Sequence, residues 1–335
     1  MDCFFCTIHA AWPWLRQTGD GCGGMGQGED TRFVLADKDC RASWLAVFDE
    51  PPPGTLTRAP RERRVLFVTE PPEIKRYPRS YLEQFGTVIS PYPFRGVEPR
   101  ALHLENPCLN WQYGVVTDGA VPVSPALTRL DDIENLPVPA KRKKLSVICS
   151  SKTATEAQRR RIRFVQRLKE ALGDDLDVFG RGFRPVSDKA EAIAPYKYHL
   201  VLENNYLDNF WTEKLADAWI GWTFPLYLGA PNLAAVCGST GGATGGFLAL
   251  DPEDETGNME RIARCLRGNL WEERQEDLAR CRAWCLRRTN VFARLAELIR
   301  QASPGMRRPP MLERAEMLYG TDREAIAALY ERARR

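Results

Sequence analysis

Residues 196–229 read Y-K-Y-H-L-V-L-E-N-N-Y-L-D-N-F-W-T-E-K-L-A-D-A-W-I-G-W-T-F-P-L-Y-L-G. The apolar run His199–Leu202 predicts a buried strand that delivers Glu203 and Asn204 at its carboxyl end. A polar and aromatic loop, Asn205–Trp211, follows. Thr212 is a natural N-cap, so a helix is predicted over Thr212–Ile220, with Glu213 and Lys214 in its first turn and Gly221 as its stop. Phe224–Leu228 predicts another strand. Strand, helix and strand in succession form a βαβ unit and imply a parallel sheet. In such sheets ligands bind outside the carboxyl ends of the strands, and anions bind at helix N-termini. A lysine in a first helical turn opposes the helix dipole. A phosphate between the two would remove that cost; the alternative is a solvated surface lysine.

The same alternation extends upstream. Leu145–Cys149 predicts a strand, Ser150-Ser151-Lys152-Thr153 a loop, and 155–172 a helix with Ile162, Val165, Leu168 and Leu172 on one face and Gly173 as its stop. Asp177-Val178-Phe179 predicts a short strand ended by Gly180. Residues 257–302 read as largely helical with Arg-rich faces, and Met311–Arg335 as one or two further helices. The stretch 136–144, L-P-V-P-A-K-R-K-K, is Pro-spaced, then basic, and reads as a linker. The boundary is therefore placed between residues 138 and 139. Before it, Arg64–Val68 predicts a strand ended by Thr69-Glu70-Pro71-Pro72, since two prolines cannot continue a ladder. A short helix is expected over Ser80–Phe85 and a strand near Thr87–Ile89, while the first 60 residues read as loops with short strands.

Composition narrows the classes. At 335 residues the chain suggests about two domains. Forty-seven basic against 44 acidic side chains give a formal charge of +3, which excludes a polyelectrolyte and argues against nucleic acid as a partner. No apolar run approaches the roughly 20 residues that span a bilayer. The opening Met1-Asp2-Cys3 lacks the basic start of a secretory signal. The expected location is cytoplasmic, with the ten cysteines kept reduced. The basic run Lys141–Lys144 could touch anionic lipid, giving a peripheral contact with the inner face of a membrane.

Several short motifs are read as incidental. Gly21-Cys22-Gly23-Gly24-Met25-Gly26 spells G-x-G-x-x-G but has no strand before it or helix after it, so it reads as a loop. Cys3-x-x-Cys6 lacks partner ligands for zinc in a chain with three histidines. Asp37-Lys38-Asp39 and Asp175-Leu176-Asp177 spell D-x-D, which can hold a divalent cation against a pyrophosphate, but the string is common by chance. No metal site is expected.

The 34-residue stretch resembles the donor-binding motif of the family-ten glycosyltransferases, the α-1,3/4-fucosyltransferases, whose pattern is approximately Y-K-F-x-L-x-F-E-N, then T-E-K, then P-V-x-x-G. Here these are Tyr196–Asn204, Thr212-Glu213-Lys214 and Pro225–Gly229. Asp177–Gly182 and the strand–S-S-K–helix opening at 145–172 extend the resemblance. In the first domain Thr69-Glu70-Pro71 is similar to the family's E-S-P element, with Pro71 in place of serine, and Asn110-Trp111-Gln112-Tyr113 to its W-x-x-Y element.

The resemblance implies an α/β fold of the GT-B type, two Rossmann-like domains facing across a cleft. Residues 1–138 would bind the acceptor, 139–305 would bind a GDP-sugar, and 306–335 would add C-terminal helices. It implies donor contacts at Asn204, Phe210 (often Tyr in the family), Thr212, Glu213 and Lys214. Arg161 best matches the family's phosphate-binding arginine, with Arg159 and Arg160 as neighbouring registers. Glu70 would be the general base. The implied activity is inverting, metal-independent transfer of L-fucose from GDP-β-L-fucose to a glycan hydroxyl, with an α-1,3 linkage to an N-acetylglucosamine-containing acceptor. No cofactor beyond the donor substrate is implied. The missing anchor and stem of the Golgi enzymes suggest a bacterial-type soluble form. Two alternatives stay open: transfer of another nucleotide-activated sugar on the same fold, and a noncatalytic module that binds sugar nucleotides or glycans.

Overall fold

The computed structural model describes residues 1–24, 31–35, 39–40, 42–94, 101–108, 110–118, 121–125, 129–151, 156–302 and 311–322. The chain divides into two compact units, Met1–Cys108 with Val291–Arg335, and Leu109–Asn290. The boundary expected at 138 therefore falls inside the second unit, and the helix Val291–Ala302 belongs to the first.

The first unit is built on six parallel strands, β1 (Asp2–Cys6), β2 (Arg32–Leu35), β3 (Trp44–Phe48), β4 (Arg64–Phe67), β5 (Thr87–Ser90) and β6 (Leu102–Leu104), in the order β2-β1-β3-β4-β5-β6. Sequence reading found β4 and β5 but left β1, β2 and β3 unplaced among loops. D-C-F-F-C and W-L-A-V-F are too short to display a period, yet β3 and β4 are buried along their whole length. Phe292 closes this core, its ring centroid 5.0 Å from that of Phe5 and 4.9 Å from that of Phe33. Helices were expected beyond Met311. Instead Glu316–Met317 is a short strand antiparallel to Leu56–Thr57, and residues 323–335 lie outside the described set.

The second unit opens with an antiparallel pair, β7 (Val115–Asp118) and β8 (Val121–Pro125). Its sheet has five parallel strands, β9 (Lys143–Ile148), β10 (Leu176–Phe179), β11 (Tyr196–Leu202), β12 (Phe224–Leu228) and β13 (Leu248–Ala249), in the order β10-β9-β11-β12-β13. Its helices include α1 (Glu156–Leu172), α2 (Ala190–Ile193), α3 (Glu213–Ile220), α4 (Leu233–Thr240), α5 (Glu255–Arg267) and α6 (Gln275–Arg287), with single turns of helix at Leu130–Glu134 and Leu270–Glu273. Side chains of β11 alternate between two cores. Tyr198, Leu200 and Leu202 pack with Phe164, Val165 and Leu168 of α1, whereas Val201 packs with Leu215, Ala218 and Trp219 of α3. Apolar cover on both faces explains the continuous hydrophobic run of the strand.

Two segments depart from the sequence reading. The basic run is no linker: β9 starts at Lys143, whose ammonium pairs with Asp177, and Lys144 pairs with Asp175. Lys141 Nζ donates to the carbonyls of Ala194 and Gly221 and to Thr223 Oγ1. The W-x-x-Y element belongs to the second unit, not the first. Trp111 and Tyr113 share a core with α3 and α6, and the carboxylate of Asp217 accepts the backbone N–H groups of Gln112 and Tyr113 at 2.8 and 2.9 Å. The Gly/Thr-rich stretch 237–246 ends α4, with Gly241 in the left-handed region at φ +98°. It then packs on α6 and α3: Trp284 Nε1 of α6 donates to Thr240 Oγ1, and Trp219 Nε1 of α3 donates to the Gly246 carbonyl.

Candidate active site

In the second sheet, β9 is flanked by β10 on one side and β11 on the other, so the strand order reverses there. A crevice at the carboxyl ends of strands is the expected ligand position at such a reversal. A cavity of about 280 Å³ lies at this point, lined by Ile148 at the end of β9 and Ser150 after it, Leu202 and Asn204 at the end of β11, Arg161 of α1, and Glu213, Lys214 and Asp217 of α3. Gln112, Lys189 and His199 complete much of its wall.

Glu203, the last buried group of the β11 run, organises the motif. Its side chain is fully buried. Its carboxylate accepts the N–H of Thr212 at 2.7 Å, the Thr212 hydroxyl at 2.8 and 2.9 Å, and Lys214 Nζ at 3.3 Å. Thr212 caps α3 as expected, its hydroxyl accepting the Lys214 N–H at 3.4 Å. Gly229 has a steric reason: a Cβ there would sit 2.2 Å from the Tyr227 hydroxyl and 2.7 Å from Glu203 Cγ. The glycine thus leaves room for the carboxylate that holds the T-E-K turn.

Lys214 is neither a bare surface lysine nor an unanswered charge against the helix dipole. Its ammonium lies 3.3 Å from Glu203 and 3.5 Å from Glu213, and 2.9 Å from the Thr212 hydroxyl. Burial works against its charged form, but the two carboxylates outweigh burial and hold its pKa above the usual lysine range. For Glu213, burial favours the neutral acid, and Lys214 and Lys189 overturn this to bring the carboxyl down to about 2. The carboxylates answer the dipole from within, so a phosphate is not needed to account for the lysine's position. The N–H groups of Thr212 and Lys214 are likewise committed within the turn.

Arg161 Nη1 donates to Asn204 Oδ1 at 2.5 Å, joining α1 to the end of β11. Its Nε is buried without a hydrogen-bond partner. The neighbouring arginines are turned to other partners, Arg159 to Glu156 and Arg160 to the Pro252 carbonyl. Arg161 is thus the one of the three that lines the cavity at the strand reversal. It also borders a second, adjoining cavity with Phe164, Tyr206 and Asn258. Phe210 is buried at 4% exposure and lines neither cavity, so the structure does not bring it to Asn204, Glu213 and Lys214.

Sequence reading missed Lys189, Asp217, Gln112 and His199. Asp217 was within reach, because it follows Glu213 by one helical turn and shares its face. Lys189 carries no such signal. His199 is buried, its Nδ1 2.7 Å from Ser146 Oγ. Burial, then the nearby Lys189 and Lys141, lowers its pKa to about 3, which keeps it neutral.

Glu70 lies in the first unit, just beyond the end of β4. Its backbone is held on both sides: its N–H donates to the Tyr77 hydroxyl at 3.3 Å, and its carbonyl accepts the Tyr92 hydroxyl at 2.8 Å. Tyr77 in turn donates to Asp49 at 2.5 Å, and Lys75 donates to the same oxygen at 2.8 Å. Asp49 sits in the left-handed region at φ 67°, a conformation that costs energy and concentrates at functional sites.

Among the described residues no cluster of three or more His, Cys, Asp or Glu could hold a metal ion. Of the D-x-D strings, Asp37 and Lys38 lie outside the described residues, whereas Asp175 and Asp177 are paired with Lys144 and Lys143. Met25 and Gly26 of the glycine string also lie outside. No described helix is long and apolar enough to cross a membrane.

Residues 138–237 match glycosyltransferase family 10 (fucosyltransferase), C-terminal part. This segment is similar to the C-terminal part of the family-ten glycosyltransferases. It contains β9 to β12 and therefore the reversal of strand order, Arg161, Asn204 and the T-E-K turn. A solved structure of an α1,3-fucosyltransferase with GDP-fucose is similar over 92% of this chain and 93% of its own, at 14% identity and a TM-score of 0.50. A second, of an α1,3-fucosyltransferase with GDP, covers 99% of this chain and 89% of its own, at 15% identity and a TM-score of 0.45. The first of these likenesses shows the fold, a GT-B-like α/β fold with a parallel sheet in each unit. Among curated proteins, none matches the chain.

Proposed function

We propose that the protein is an inverting fucosyltransferase that takes L-fucose from GDP-β-L-fucose. The observation that carries this reading is the cavity at the strand reversal of the segment similar to family ten, where Arg161 and Lys214 stand together with Asn204 and Glu213. Two cations at the carboxyl edge of a sheet suit a diphosphate, and their charge would stabilise the GDP leaving group as the glycosidic bond breaks. Glu213, ionised beside Lys214, is a hydrogen-bond acceptor for ribose or sugar hydroxyls. Glu70 is the proposed base, taking the proton of the acceptor hydroxyl as its oxygen attacks the anomeric carbon. The acceptor proposed is an N-acetylglucosamine-containing glycan, with an α-1,3 linkage. Transfer is proposed to need no metal, a reading supported by the lysine partners of Asp175 and Asp177. Phe210, a buried residue of the Asn205–Trp211 loop, enters this reading as support for that loop rather than as a donor contact.

The test is transfer of radiolabelled fucose from GDP-fucose to N-acetyllactosamine with excess EDTA present, alongside calorimetric titration with GDP-fucose and UDP-galactose. Product formation with selective binding of GDP-fucose is expected. Binding of UDP-galactose in its place would overturn the donor, and loss of turnover in EDTA restored by Mn²⁺ would overturn metal independence.

A further inference from the structure

Five ionic side chains follow one another through the wall of the cavity with alternating sign. Lys214 Nζ lies 3.3 Å from Glu203 and 3.5 Å from Glu213, and Lys189 Nζ lies 3.5 Å from the same Glu213 oxygen and 3.0 Å from Asp217. Glu213 is thus shared by two lysines. Asp217 has no exposed side-chain surface. One of its oxygens accepts the Gln112 and Tyr113 N–H groups, and the other accepts Lys189. Lys189 precedes α2 and lies outside the T-E-K turn.

Resting on the donor site proposed above, we propose that Lys189 is a positioning residue whose charge frees Lys214 to leave its carboxylates for the diphosphate of the donor. Two lysines balance three carboxylates along this chain of contacts. Once a phosphate draws Lys214 away, Lys189 is the cation left between Glu213 and Asp217. Without it two carboxylates one helical turn apart, in a poorly solvated wall, repel each other and the incoming anion. Breaking a buried ion pair by removing one partner is costly for that reason. Lys189 also keeps Asp217 charged and oriented, and so seats the Gln112–Tyr113 peptide in the cavity wall.

The charge of Asp217 makes this measurable. Burial raises its pKa, Lys189 opposes that, and Glu213 reinforces it. Removing Lys189 leaves burial and Glu213 acting together, so Asp217 would gain a proton at a higher pH than before. The other ionisable groups around it come from three elements. Tyr113 of the 110–114 segment is pushed up to about 12 by burial and Asp188, and Cys285 of α6 is pushed up by burial and Asp217 itself. His199 of β11 stays neutral, and Arg282 of α6, though lowered by burial from 12.5, stays charged. None of these changes charge between pH 5.5 and 8. The diphosphate diester of GDP-fucose is also constant there, which makes it a better probe than GDP. Lys141, which donates to the Gly221 carbonyl after α3 and is brought down to about 7 by burial, does gain a proton across pH 8 to 5.5, but it does so in the unsubstituted protein and the variants alike, so the comparison between them isolates Asp217.

Calorimetric titration with GDP-fucose at pH 8 and pH 5.5 decides the matter, using the full chain, Lys189→Met, Lys189→Arg and the double variant Lys189→Met with Asp217→Asn. Lys189→Met is expected to bind about tenfold more weakly or worse at pH 8, since truncating one partner of a buried charged pair costs at least that much. It should regain part of the loss at pH 5.5, because burial and Glu213 then both favour the protonated form of Asp217. Lys189→Arg should bind within a few-fold of the unsubstituted protein. The double variant should recover binding at pH 8, because Asn keeps the acceptor for Gln112 and Tyr113 while removing the charge. Equal affinity of Lys189→Met and the unsubstituted protein at pH 8 overturns the proposal. So does a loss that is the same at both pH values and is not relieved by Asp217→Asn, the signature of a purely structural lysine. Should Lys189→Met fail to fold, the double variant alone decides, and weak binding by it at pH 8 is the overturning result. If the unsubstituted protein does not bind GDP-fucose, the donor-site reading itself falls.

Discussion

The two sheets share the strand order second-first-third at one edge, but their carboxyl ends are wired differently. In the first unit the strand ends after β3 and β4 are joined through hydroxyls and backbone groups around a single lysine, Lys75, which lies 2.8 Å from Asp49 and 3.0 Å from Glu50. Tyr77 links Asp49 to the Glu70 peptide, and Tyr92 holds the Glu70 carbonyl. In the second unit the joints are ionic, running from Glu203 through Lys214 and Glu213 to Lys189 and Asp217. Tyrosine clamps on a backbone set where a carboxylate stands without neutralising it, which suits a group that must accept a proton. A chain of lysines and carboxylates supplies charge that can change partners, which suits a site that must admit an anion and release it. Parallel sheets of like order thus carry different polar wiring at their carboxyl ends.

The contrast can be broken most sharply at Glu70. Glu70→Gln keeps shape and backbone but cannot take a proton, so transfer should fall on the order of 10²–10⁴-fold, the usual cost of losing a general base. Affinity for GDP-fucose should hardly change. Full activity in a transfer assay would move the basic role to another carboxylate, with Glu73 and Glu105 of the first unit and Asp118 of the second as rivals. A smaller effect is expected from Lys214→Ala. Loss of a charge-assisted hydrogen bond to phosphate is worth about 1.5–3 kcal/mol, or about 10- to 150-fold in GDP affinity. Part of the measured loss will be the burial of Glu203 without its lysine, so melting temperature should be followed in parallel. A GDP affinity that does not move would show that Lys214 only neutralises Glu203 and Glu213. The smallest effect belongs to Tyr77→Phe, which removes the bridge between Asp49 and the Glu70 N–H. Losing these two hydrogen bonds, one of them to the Asp49 carboxylate, should lower stability by about 1–3 kcal/mol. Activity should fall only a few-fold, because Tyr92 still holds the Glu70 carbonyl. A loss as large as that of Glu70→Gln would make Tyr77 part of the proton transfer.

Legibility from sequence followed periodicity. The second unit could be read nearly element by element, because β9, α1, β11, α3 and β12 each carry a clean apolar run or a 3.6-residue stripe with a glycine or threonine at the end. Phe224–Leu228 is the same in sequence and structure. Strands β1 to β3 were not legible, since each depends on neighbours distant in the chain to cover it. The misplaced boundary has a related cause. Proline spacing at 136–139 looks like a linker, but what ties residues 110–135 to the second unit is a set of non-local contacts: Asp217 with two N–H groups, and Arg287 with Glu134. In the site, Thr212, Glu213 and Lys214 could be read from local chemistry. Lys189 and the buried role of Glu203 could not, because each is defined by a partner ten or more residues away.

The interrupted first unit has a consequence for biosynthesis. Its sheet is complete once residue 104 has been made, but Phe292, which packs on Phe5 and Phe33, is nearly two hundred residues further on. Domains tend to fold in the order of their synthesis. Here that order is inverted: the middle of the chain can finish folding on the ribosome while the first strands still expose an aromatic face. A nascent chain that ends before residue 291 lacks that cover and should therefore present the aromatic face to chaperones.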